Sequence, residues 1–186
     1  NSFYGSQAGT NNISGIQNVF LGYLSGSSNR QASLNTAIGA FSLSEHEGTG
    51  GSGNTAIGFA ALDNDSIGIH NTGVGAYSLQ ANYTGFNNTG IGHSAGFYQK
   101  GDNNFFGGAL AGYGARPLAI NLAVDTGSYN TALGVNAMYR LANGNYNTAV
   151  GYNALLSDSS GGYNTAVGVQ ASSEGDTASY TTSVGY

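Results

Sequence analysis

The sequence predicts an all-β protein, a parallel β-solenoid built from one coil per repeat, and three observations lead there. A phrase of the type Asn-Thr-Ala-Ile-Gly recurs along the whole chain at a near-constant spacing of 17 residues. One position of the unit is Gly in every copy. Charged residues make up only 7% of the chain and fall in one part of the unit. Short, regular periods of this kind mean stacked units that each touch only their neighbours.

Numbering each unit from its first residue as phase 0, the starts are Asn1, Asn18, Asn35, Asn54, Asn71, Asn88, Asn104, Asn130, Asn147, Asn164 and Thr181. The spacings are 17, 17, 19, 17, 17, 16, 26, 17, 17 and 17 residues, so 1–186 reads as a single repeat domain. Insertions lie near 45–53 and 114–129. Phase 4 carries the invariant Gly, including Gly39, Gly58, Gly75, Gly92, Gly134, Gly151 and Gly168. A position that accepts only Gly needs a positive φ or close backbone approach, and so marks a turn. A second Gly recurs near phase 14, as in Gly15, Gly68, Gly85, Gly144 and Gly161. Two turns per unit leave room for two short strands. A helix is disfavoured because Gly costs about 1 kcal/mol at each helical position. Coils about 4.8 Å apart would give a rod roughly 50 Å long.

Side-chain volumes indicate what points inward. Phase 2 is small in most units, as in Ala37, Ala56, Ala132 and Ala149, but is Phe at Phe3, Phe20 and Phe106. The units with Phe carry Gly at phase 8, namely Gly9, Gly26 and Gly112, whereas Ala units carry Leu43, Leu62, Met138 or Leu155 there. Large against small is what one close-packed space requires. Phase 7 is always Ala or Ser. Side chains alternate along a strand, so phases 1 and 3 face outward. Phase 1 is mostly Thr, and phase 3 forms an apolar ladder of Ile38, Ile57, Val74, Ile91, Leu133, Val150, Val167 and Val184. An apolar stripe of that length marks an interface. Eleven of the charged residues fall in phases 9 to 14, the other two, Arg116 and Asp125, lie in the large insertion, and none is in phases 0 to 8. Because burying a charge is costly, phases 9 to 14 are expected to face water and phases 0 to 8 to be enclosed.

The net charge of −5 gives no basic footprint for nucleic acid, and no apolar run is long enough to span a membrane as a helix. The chain starts at Asn1 without a visible signal peptide, and a processed product or fragment is expected. Its lack of Cys does not decide the compartment. His46, His70 and His93 have no metal-pair spacing, and Asp63-Asn64-Asp65 lacks the EF-hand pattern. No nucleophile elbow or phosphate-loop Lys is present. No catalytic residue, metal or cofactor is assigned, and the chain is not expected to be an enzyme. Tyr129, Tyr146, Tyr163 and Tyr180 stand just before successive phase 0 positions. They could form a platform for sugars or could stack to stiffen the rod.

The recurring phrase, with Ala-Leu after it in several units, resembles the repeat of YadA-like trimeric autotransporter adhesin heads, and also repeats of phage tail fibres. The likeness covers nearly the whole chain. It implies a left-handed parallel β-roll, three of which associate through an apolar interface at phase 3, on a cell or virion surface. It identifies architecture better than ligand. The adhesin repeats run closer to Ser-Val-Ala-Ile-Gly with shorter periods, so bacterial and phage settings both stay open. The expected function is a structural, adhesive extracellular fibre whose partners are its own copies and a host-surface protein or glycan, with Arg116 and the four Tyr as candidate ligand-facing residues. Two alternatives remain. In an ice- or surface-binding solenoid the Thr-x-Ile/Val ladder would stay bare. In a head-to-tail filament uncapped ends would stack.

Overall fold

A computed structural model describes residues 1–45, 51–114, 125–157, 160–174 and 177–186. Eleven strands of three residues form one parallel sheet in sequence order: β1 Ser2–Tyr4, β2 Val19–Leu21, β3 Thr36–Ile38, β4 Thr55–Ile57, β5 Thr72–Val74, β6 Thr89–Ile91, β7 Phe105–Gly107, β8 Thr131–Leu133, β9 Thr148–Val150, β10 Thr165–Val167 and β11 Thr182–Val184. Each pairs with its successor in the register the repeat implies, for example Ala37 with Ala56 and Ile38 with Ile57. The chain is a β-solenoid of about ten turns with no helix among the described residues. The second insertion does not break the stack. The coil resumes at Asp125, whose carbonyl accepts from Lys100 N–H at 2.7 Å.

Among the described residues each coil holds one strand rather than the two expected. The rest of the coil also bonds to the next, as Gly9 N–H to Ser25 O and Asn11 N–H to Ser27 O, but it is bent by residues with φ near +55°. Phases 6, 8 and 16 take this left-handed conformation even where the residue is not Gly, as in Tyr77, Leu62 and Tyr146. A left-handed residue disfavours a branched Cβ, and no Val, Ile or Thr occupies phase 6, phase 8 or the position just before a phase 0 residue in any unit. The phase 4 Gly is required twice over. At Gly58, φ is +136° and a Cβ would lie 2.6 Å from the carbonyl carbon of Gly75.

The core confirms the volume rule. Phe20 and Phe106 are fully buried, as are Leu43, Leu62 and the Ala of phase 2. A Cβ at Gly26 would come within 2.6 Å of the Phe20 ring. Phases 2 and 8 therefore share one interior.

Two further side-chain systems bind coil to coil. Every phase 0 Asn is buried except at the open first coil. Its Oδ1 accepts the N–H of the next phase 0 residue, as from Asn88 to Asn71 at 2.9 Å. Its Nδ2 donates to the phase 14 carbonyl of its own coil, as Asn71 to Gly85 at 2.7 Å. The Asn ladder is thus mainly side chain to backbone, and each Asn both closes its coil and holds the next. On the outer corner a second ladder runs the other way, with Ile16 N–H donating to Ser33 Oγ and Ser33 N–H to Ser52 Oγ.

The expectation that phases 9 to 14 face water fails at phase 14, where Ala32, Gly68 and Gly85 are buried, and at phase 11. Asn29, Asp65, Asn82, Gln99 and Leu141 are fully buried there, and Asp125 is buried too. Phase 11 turns its side chain into the coil, where Asn29 and Asn82 donate to the phase 14 carbonyls of Ala32 and Gly85. Asp65 replaces such an Asn. Its Oδ1 instead accepts the Gly68 N–H at 2.8 Å. Burial pushes its pKa up to about 8, against the smaller opposing effects of the Gly68 N–H and the Asn71 amide.

Candidate functional surfaces

The phase 3 residues named from the sequence form one row across the sheet. Ile38 stands beside Ile57, Ile57 beside Val74 and Val74 beside Ile91. Leu133, Val150, Val167 and Val184 continue it beyond Gly107. Gly107 does not leave a gap, because the Leu133 side chain lies where its Cβ would be. In the single chain the row is open to solvent, with Ile91 46% and Leu133 40% exposed, and Ile38, Val74 and Val150 half-buried. Phases 0 to 8 are therefore not all enclosed within one chain. The parallel phase 1 row carries half-buried Thr. Phase 5 adds exposed Tyr23, Phe59, Val135, Tyr152 and Val169 across the turn. Rings of phases 5 and 6 interlock edge to face from Tyr23 through Phe41 and Phe59 to Tyr77, with centroids 5.3 to 5.7 Å apart.

Among the described residues this face carries no charged side chain. Arg30, Glu45, Arg140 and Glu174 are exposed elsewhere on the coil. The turn glycines Gly39 to Gly168 separate phase 3 from phase 5 and let adjacent coils approach closely.

Tyr129, Tyr146, Tyr163 and Tyr180 form the stack anticipated from the sequence, with centroids 4.8, 4.9 and 5.0 Å apart and nearly parallel planes. Each ring lies along the face of the next. A sugar stacks on a ring face, so most of this ladder offers it only ring edges and phenol hydroxyls. The geometry favours stacking that ties coil to coil.

Arg116, His46 and most of the second insertion lie outside the described residues. His70 and His93 are exposed and apart, and among the described residues no group of three His, Cys, Asp or Glu could hold a metal ion. Asp63 accepts a hydrogen bond from the Ser44 hydroxyl, and Asp65 is buried in the coil. A shallow cavity of about 400 Å³, not anticipated from the sequence, lies on the charged side of the coil and is lined by residues that include Asn136, Tyr139, Arg140 and Asn153. Its only sequence signal is the pair of Asn at phase 6 of consecutive coils, Asn136 and Asn153.

No family model, no curated protein and no solved structure matches this sequence.

Proposed function

We propose that the chain is the rod of an extracellular attachment fibre, in which three copies pack side by side through the phase 3 face and present their charged sides outward. The observation that carries this is the segregation of surface chemistry. Eleven coils in register align apolar side chains along one charge-free strip, while the accessible charges lie elsewhere on the coil. Ten steps between strands make that strip roughly 48 Å long. An apolar strip of that length favours a covered state. A second copy of the same chain meets it with the same repeat and the same chemistry. The number three comes from the resemblance of the repeat to trimeric adhesin heads. Such a fibre belongs on a cell or virion surface, and its partner is a host-surface protein or glycan.

The chain has no Cys, so a single introduced thiol reports proximity cleanly. Val74→Cys, in the middle of the strip, should form chain-to-chain disulfides under mild oxidation. Asn143→Cys, on the exposed charged side, should not. Failure of Val74→Cys to cross-link, or equal cross-linking at both sites, would remove the proposal.

One observation favours a second reading. The Thr of phase 1 and the Ile or Val of phase 3 repeat as two parallel rows at coil spacing, a regular lattice if left bare. An ice- or crystal-surface-binding solenoid would use it. Thermal hysteresis of the freezing point in a monomeric sample would support that reading, and its absence would dismiss it.

A further inference from the structure

We propose that the groove between phases 6 and 10 of the eighth and ninth coils binds a carboxylated sugar. There Asn136 and Asn153 stand at phase 6 of consecutive coils, after Leu110, and line a trough of about 400 Å³ with Tyr139 and Leu156. Pockets for small ligands begin at about 300 Å³.

Three features define the occupant. Asn136 Nδ2 donates to Asn153 Oδ1 at 3.1 Å, which ties the two amides to each other. Asn136 Oδ1 is buried and has no hydrogen-bond partner, because the same position one coil earlier is Leu110, which offers no donor. A buried acceptor without a partner costs about 1–3 kcal/mol, so the site favours a ligand hydroxyl that donates there. Arg140, exposed at the rim, offers a planar fork of donors that matches a carboxylate. The Tyr139 ring and Leu156 supply an apolar wall for C–H groups. Hydroxyl donor, carboxylate and C–H face coincide in a uronic or other acidic sugar. Both Asn side chains are held by their backbone, with φ of 58° and 55° and N–H bonds to Ala109 O and Val135 O.

This inference deepens the attachment reading by naming a ligand class, but the groove is built from one chain and does not depend on trimer formation. Trigalacturonic acid and neutral galactotriose serve as probes, titrated by calorimetry into the full chain. The acidic probe should bind saturably and at least about tenfold more tightly than the neutral one. Arg140→Gln should erase that preference. Asn136→Leu, tolerable because Leu110 holds the same left-handed position at φ 59°, should weaken binding about tenfold or more without lowering the melting temperature. No saturation at millimolar probe, equal affinity for both probes, or unchanged binding in the two variants would each overturn the proposal. Solution mass, measured on the same samples, reads the trimer separately.

Discussion

Asn54→Ala tests the ladder that holds one coil to the next. Asn54 is fully buried. Removing its amide leaves the Asn71 N–H without its acceptor at 2.8 Å and the Gly68 carbonyl without its donor at 2.8 Å. Both groups are in buried residues, and each orphaned group costs about 1–3 kcal/mol, so the loss should be about 2–6 kcal/mol. That is a large share of the roughly 5–15 kcal/mol by which folded chains are stable. For a chain of this size each kcal/mol moves the melting temperature by about 2–4 °C. A central loss near 4 kcal/mol should therefore lower it by about 8–16 °C. Thermal unfolding followed by circular dichroism measures this, with Asn54→Leu as the comparison. Leu restores the volume but orphans the same two groups, so it should be nearly as damaging as Ala. If Leu returns the melting temperature to that of the unmodified chain, the stability came from filled space and the hydrogen-bond argument fails.

Three further outcomes follow from the coil. Leu62 sits at φ 50°, so Leu62→Ile should cost about 2–3 kcal/mol, combining left-handed strain with repacking, whereas Leu62→Met should cost under about 1.5 kcal/mol; equal losses in urea unfolding would refute the strain term. Phe20→Ala should cost about 3–5 kcal/mol, and adding Gly26→Leu should recover part of it, since Leu43 occupies the same position at φ 51°; a double variant no better than the single would contradict the shared interior. For Asp65, the folded chain keeps a proton that the unfolded chain releases above pH 3.8, up to about pH 8. Its contribution is therefore fully present below pH 3.8 and is lost as pH rises to about 8, with a slope near 1.4 kcal/mol per pH unit. Asp65→Asn should flatten that slope and be more stable than the unmodified chain at pH 8, as read by urea unfolding across pH; an unchanged slope would refute it.

The period, the strand and its register were legible because each depends on a local rule repeated many times. Gly at phase 4 fixes the turn, and the Phe20 and Gly26 pair fixes the interior. What was not legible depends on where a turn aims a side chain. Asp65 looks like a surface carboxylate by composition, yet phase 11 points inward and neighbouring coils cover it. The left-handed residues at phases 6, 8 and 16 leave only a negative signal, the lack of Val, Ile and Thr, because Leu, Tyr and Asn there are also ordinary core or surface choices. The outward phase 3 ladder could be read, but what covers it is a property of assembly rather than of one coil. The groove at Asn136 was invisible for a different reason. It is lined by side chains of three coils, Leu110, Asn136 and Asn153 among them, and only the stacked geometry brings them together around one cavity.

Sedimentation equilibrium of the intact chain tests the assembly most directly. With the phase 3 face covered by copies of itself, the mass should be three times 18.8 kDa and should stay there on dilution, while Ile57→Asp with Val150→Asp, which places charge on that face, should dissociate or unfold it. A stable, folded species of 18.8 kDa in the unmodified chain would contradict the trimeric fibre and leave the face bare.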